Sequence, residues 1–247
     1  MLKKYLADLH IHTCLSPCAD DEMIPLNILN MAKISGTKIL GICDHNSAKN
    51  LVAMLEAAKD YDTLVLPGME VQSVEEVHLL CYFEDLDSCI AWEDIVYKHL
   101  PKIKNSPEIF GHQWIVDKNG DIVGEEEQML ITSTTMTVEV IYEQVKRLGG
   151  IFIPAHIDKR SYSLLGQLGF IPENIHPDAL EYSRNATGEA IKQKFGLEDE
   201  YTLITSSDAH RLIDMVYQKT YFSINSLSFM EVKKALKGIG GREVLVK

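Results

Sequence analysis

The feature that most constrains this chain is an alternation of short apolar runs with longer amphipathic ones. That rhythm predicts βα units and a largely parallel sheet, an α/β fold. Strands are expected over 4–12, 37–44, 64–71, 77–83, 151–156, 179–183 and 201–206, with an edge strand over 243–246. Helices are expected over 27–35, 48–61, 138–148 and 229–236. The first has Pro25 near its start and Gly36 at its end, and Gly149-Gly150 closes the third. One stretch, 84–137, breaks the rhythm with Pro101, Pro107, Asn119-Gly120 and an acidic triplet at 125–127. Because no linker-like composition shift divides the chain, a single domain over 1–247 with an insertion at about 84–137 is expected.

Composition narrows the classes. Of 247 residues, 46% are hydrophobic and 24% charged, the profile of a globular chain able to bury a sizeable core. Lys and Arg number 24 against 36 Asp and Glu, a net charge of −12. Such an excess repels a polyphosphate backbone, so general nucleic-acid binding is not expected. No apolar run approaches the ~20 residues that span a bilayer. The N-terminus meets Asp8 and His10 before a signal-peptide core could form, so a cytoplasmic protein without membrane attachment is expected. The five cysteines are odd in number and none stands in Cys-x-x-Cys spacing, which argues against a disulfide framework and a thiolate zinc site.

Histidine carries more information. His10 and His12 are two apart, so on a strand both face one side. Asp208 and His210 repeat that spacing after a later strand. Between them, Asp44-His45, Glu70, His78 and His156 stand at or near the ends of strand-like runs. In α/β barrels the active site is built at one end of the strands. Taken singly, each residue is better read as a core or surface polar group. Taken together, so many imidazoles and carboxylates at one end of a sheet are costly to bury without cations. A mixed N/O set suits zinc, manganese or iron.

In chain order, DLHIHT, ICDHN, PGMEV, VHLLCYF, PAHID and TSSDAH resemble the motifs of the PHP (polymerase and histidinol phosphatase) family, over residues 8 to 210. The resemblance implies a distorted seven-stranded (β/α) TIM-like barrel with two to three divalent metal ions and phosphoester hydrolysis. It places His10, His12, Glu70 and Asp208 on one metal, and Glu70, His78 and His156 on a second. His45 and His210 would hold a third, completed by one residue of the loop after His12. Asp20 is expected there for its hard carboxylate and its spacing to Pro25, with Cys18 as the alternative. Arg184, in the run LEYSRN, is expected to bind phosphate bidentately. Lys159, Arg160 and Arg211 are as easily solvated charges as ligands. Asp44 is expected to orient a ligand histidine.

The expected activity is hydrolysis of a small phosphomonoester, with Glu70, Asp208 and Arg184 as the catalytic residues and a small phosphorylated substrate as partner. Two other readings stand beside it: an amidohydrolase-type C–N hydrolase, and a non-catalytic metal-stabilised PHP module. Phosphate loops, dinucleotide fingerprints and nucleophile elbows are absent from the sequence.

Overall fold

In the computed structural model, which describes residues 1–197, 201–216 and 219–247, the elements follow one another as a mixed α/β chain. The first part runs β1 (Lys3–Ile11), α1 (Pro25–Ser35), β2 (Thr37–Ile42), α2 (Leu51–Ala58), β3 (Leu64–Gln72) and β4 (His78–Tyr82). Then come α3 (Leu86–His99), α4 (Pro107–Phe110), β5 (Trp114–Val116), β6 (Ile122–Glu125) and α5 (Val138–Arg147). The last part runs β7 (Ile151–Pro154), α6 (Leu164–Gln167), β8 (Leu180–Tyr182), α7 (Gly188–Phe195), β9 (Leu203–Thr205), β10 (Thr220–Ile224), α8 (Phe229–Leu236) and β11 (Glu243–Val246).

Seven strands form one sheet in the order β11-β10-β1-β2-β3-β4-β7. Only β1–β2 and β2–β3 pair in parallel; the other four pairings are antiparallel. The curled seven-stranded sheet is consistent with the distorted PHP-type barrel expected, but the expected largely parallel pairing is not what forms. The reason is local. Residues 73–77 are too few for a helical crossover, so β4 returns as a hairpin partner of β3. β8 and β9 form a separate parallel pair. Backbone hydrogen bonds still tie that pair to the large sheet at one end: Ile157 N to Glu181 O at 2.8 Å, and Ala209 N to His10 O at 3.0 Å.

The core has two layers. Ala7, Leu9, Ile39, Leu66, Tyr82, Ile153 and Phe222 pack on one face of the sheet. Leu40, Ile42, Met54, Val71, Phe83 and Trp92 pack on the other, under the helices. Gly41 permits the close approach of β2 to β1, since a Cβ there would lie 2.7 Å from the Leu9 carbonyl oxygen. Several elements lay outside the sequence expectation, among them α3, which buries Cys89, Trp92 and Val96 from within the 84–137 segment, the β5–β6 hairpin, α7, and β10, which flanks β1. Helix α2 starts at Leu51 rather than at 48, because residues 43–50 form a loop at the site. Among the described residues no helix is long and apolar enough to cross a membrane.

Candidate metal centre

The ends of β1, β2, β3, β7 and β9, together with the start of β4, all reach one place. His10 and His12 leave β1 where its register with β2 shifts, between Asp8 and Ile11. Asp44 and His45 follow β2, and an isolated parallel bridge joins His45 to Glu70 on β3. His78 opens β4, where it stands across from Gln72. His156 and Asp208 follow β7 and β9 in left-handed backbone, with φ of 31° and 53°. Non-glycine residues are strained in that region, and such strain gathers at functional sites.

Glu70 is the hub. Its Oε1 lies 2.9 Å from His78 Nδ1, 3.2 Å from His10 Nε2 and 3.6 Å from His156 Nε2. Its Oε2 lies 3.0 Å from His45 Nδ1 and 3.4 Å from His12 Nε2. Asp208 Oδ1 adds a second carboxylate, 3.3 Å from His10 Nε2 and 3.7 Å from His12 Nε2. His10, His12, His45 and His156 are buried, His78 is partly exposed, and Glu70 itself is 1% exposed. Three groups offer ligand atoms within 4.8 Å of one another: His10, His12 and Asp208; His45, Glu70 and His78; and His12, His45 and His210.

The electrostatics fit cations. Burial pushes the Glu70 carboxyl up, but His78, His10 and His45 outweigh it and hold it well below the usual range. Asp208 behaves alike, with His10 and His12 outweighing burial. Burial, His210 and His45 together hold His12 well below its ordinary value, despite the opposing pull of Asp208 and Glu70. Nε2 of His10 and of His12, and Oε2 of Glu70, are buried without a hydrogen-bond partner. Orphaned polar atoms of this kind are costly. Imidazole lone pairs and carboxylates turned on a common space are what divalent cations require, so the residues fit the metals that the motifs imply.

A supporting shell orients these ligands. Asp44 accepts hydrogen bonds from Thr13 N, Thr13 Oγ1 and Ser16 Oγ, each at 2.7 Å. Ser16 Oγ in turn lies 3.0 Å from His12 Nδ1. Asp44 therefore acts on His12 through a serine rather than directly. Sequence reasoning missed Glu181, whose Oε2 lies 2.9 Å from His10 Nδ1 and accepts from His156 N at 3.1 Å. Its signal was an acid between Leu180 and Tyr182 on a strand, three residues before the arginine that drew notice.

The third group differs from expectation. Asp20 is not brought to His45 and His210: its side chain is 57% exposed and its Oδ2 lies 3.8 Å from Arg211 Nε. Its backbone N–H is spent on the His210 carbonyl at 2.9 Å. Instead the Cys18 thiol, in a residue otherwise exposed, reaches the rings of both histidines. Burial pushes that thiol up, but His45 and His210 outweigh it and bring it down to about 6. Cys14 is buried, and its thiol donates weakly to the Trp114 carbonyl and accepts from Asn50 Nδ2.

Of the basic candidates, Lys159 Nζ sits 2.6 Å from Asp208 Oδ2. Arg184 pairs with Asp214, both of its terminal nitrogens lying 3.2 Å from Oδ1. Together with His156, Glu181, Ser207 and Asp208 they line a cleft of about 240 Å³ beside the metal ligands. Arg160 is exposed on the loop after Lys159. Arg211 faces Asp20 and not the cleft.

No family model matches the chain. Among curated relatives, the uncharacterized protein YqxK of Bacillus subtilis is 24% identical over 99% of this chain, which spans 65% of that protein. Among solved structures, the lesion-specific endonuclease EndoQ of Pyrococcus furiosus superposes with a TM-score of 0.75 at 20% identity. A second Endonuclease Q structure, in complex with a 27-mer duplex bearing an abasic lesion at the active site, gives 0.71. In both, 98% of this chain is covered but only 58% of the other. A two-domain Bacteroides vulgatus protein containing a PHP-like metal-dependent phosphoesterase gives 0.57 at 15% identity, over 98% of this chain and 64% of that one. The Endonuclease Q relation overturns the expectations of a small phosphomonoester substrate and of no nucleic-acid partner. A net charge is a sum over the whole surface, whereas a ligand in a cleft meets the local field, so the charge of −12 does not by itself exclude such a partner. In fold as well as in the order of its motifs, the chain resembles the PHP-like metal-dependent phosphoesterases.

Proposed function

We propose that this chain is a metal-dependent hydrolase that cleaves phosphodiester bonds in DNA. The observation that carries the reading is the Glu70 hub: a buried carboxylate ringed by five imidazoles, in a fold matching Endonuclease Q over 98% of the chain. His10, His12, Asp208 and Glu70 would hold one cation, and Glu70, His78 and His156 a second. His45, His210 and Cys18 would hold a third. When bound, such cations supply Lewis-acid polarisation of a phosphoryl oxygen and a water of lowered pKa.

The chain's own residues do the rest. Glu181 takes the Nδ1 side of His10, which turns Nε2 inward. Ser16, held by Asp44, does the same for His12. The imidazoles around Glu70 oppose its protonation and favour the carboxylate. Arg184 and Lys159 present cations to a phosphate across the cleft, and the guanidinium fork suits its paired oxygens. A phosphate entering there exchanges with Asp214 and Asp208 for these partners.

The test is a nicking assay on duplexes carrying an abasic site, a deaminated base or no lesion, with manganese, zinc or magnesium and a denaturing-gel readout. Divalent-dependent cleavage of at least one duplex, abolished by EDTA, is expected. A metal-loaded protein that leaves every duplex intact overturns the reading.

A further inference from the structure

The loop between β7 and α6 carries features that the metal centre does not use. It leaves the sheet at His156 and ends at Ser163, which caps α6 through Gly166 N. In between it exposes Lys159, Arg160, Ser161 and Tyr162, a basic and aromatic segment in a chain of net charge −12. Tyr162 stands in left-handed backbone, φ 57°, immediately before the cap. Its carbonyl accepts the His78 N–H at 3.0 Å, which holds the strained residue in place. Its ring lies on the His78 ring, with centroids 4.8 Å apart and an interplanar angle of 26°. Although one side is stacked, Tyr162 remains 45% exposed. Lys159, three residues earlier, reaches Asp208 on the far side of the cluster.

We propose that this loop is a nucleotide-gripping element in which Tyr162 stacks on the base beside the scissile phosphate and Lys159 and Arg160 hold the strand. The inference rests on the DNA-hydrolase reading and adds the part of the substrate recognised. A support for His78 alone would gain from burial, whereas this ring is left open to solvent at the edge of the site. An aromatic interleaved with cations is the combination that binds nucleic acid without reading its sequence, since every base has a stackable face. Because the tyrosine rests on His78, a base on its outer side is held one ring away from a proposed metal ligand.

The experiment is stopped-flow fluorescence, read before cleavage, on a cleavable duplex with 2-aminopurine on either side of the cut position. Wild type and Tyr162→Phe are expected to quench the probe at one of the two positions. Tyr162→Ala should lose that quenching and bind about 10-fold more weakly or worse, with metal content equal to wild type. Unchanged quenching and affinity in Tyr162→Ala overturns the stacking role while leaving the hydrolase reading intact. Loss of metal in that variant overturns it too, because the ring would then be a support for His78. A wild-type protein that binds no duplex overturns both readings.

Discussion

Glu70 is the residue on which the centre turns, because one carboxylate faces five histidines delivered by four separate segments. Glu70→Gln keeps the shape and removes the charge. The variant should fold, lose at least one equivalent of bound metal by elemental analysis, and fall about 1000-fold or more in cleavage, since several kcal/mol of charge stabilisation go with it. Near-wild-type activity would mean that Glu70 does not bridge. Cys18 and Asp20 give a sharper comparison. Cys18→Ser should lose about one ion, while Asp20→Ala should keep the wild-type count, because the Asp20 carboxylate is exposed toward Arg211. In cobalt-loaded protein, a thiolate-to-metal absorption band present in wild type and absent from Cys18→Ser would identify the sulfur as the ligand. The opposite pattern would return the role to Asp20, which the sequence favoured on spacing and hardness alone.

Among the elements, the segment over 84–137 does more than interrupt the strand rhythm. Its hairpin β5–β6 is joined to the loop after β1: Trp114 N donates to Cys14 O at 3.0 Å, and Trp114 Nε1 to Asp21 Oδ1 at 3.1 Å. Asn50, at the start of α2, donates to Trp114 O at 3.0 Å and so ties a third piece to the same point. Gly111 closes the contact. It has φ 97°, and a Cβ there would fall 2.1 Å from the Pro17 carbonyl oxygen. Gly111→Ala should therefore cost about 1–3 kcal/mol of stability through backbone strain and overlap. The same shift should move the Cys18 loop, so thermal unfolding and metal content should fall together. A variant with wild-type melting and full metal would show that the insertion and the loop are independent. None of this coupling was readable from the segment's prolines and acids, since it depends on which backbone approaches Pro17.

On the scale of the whole molecule, the proposed DNA substrate would have to be held by a chain of net charge −12 through few contacts. Lys159, Arg160 and Arg184 are the cations beside the cluster. Three phosphate contacts give a slope of about −2.7 in a plot of log affinity against log salt, at constant divalent metal. Measured by anisotropy, a slope of that order is expected, and one of about −6 or steeper would require phosphate contacts beyond these three residues. What the sequence by itself determined is the set of chemical groups and their order. Polar residues at the ends of apolar strands are a one-dimensional pattern, so His10, His12, His45, Glu70, His78, His156, Asp208 and His210 were legible without coordinates. The tertiary structure alone decided which of them meet and what stands behind them. Glu181 reaches His10 across 171 positions of sequence, and the Cys18 thiol, not the exposed Asp20 carboxylate, lies at the rings of His45 and His210. Strand direction belongs to the same class, since a five-residue turn made β4 antiparallel where the rhythm implied a crossover. Local pattern follows from side-chain periodicity, but contacts between distant segments follow from loop paths and pairings that no short window of sequence contains.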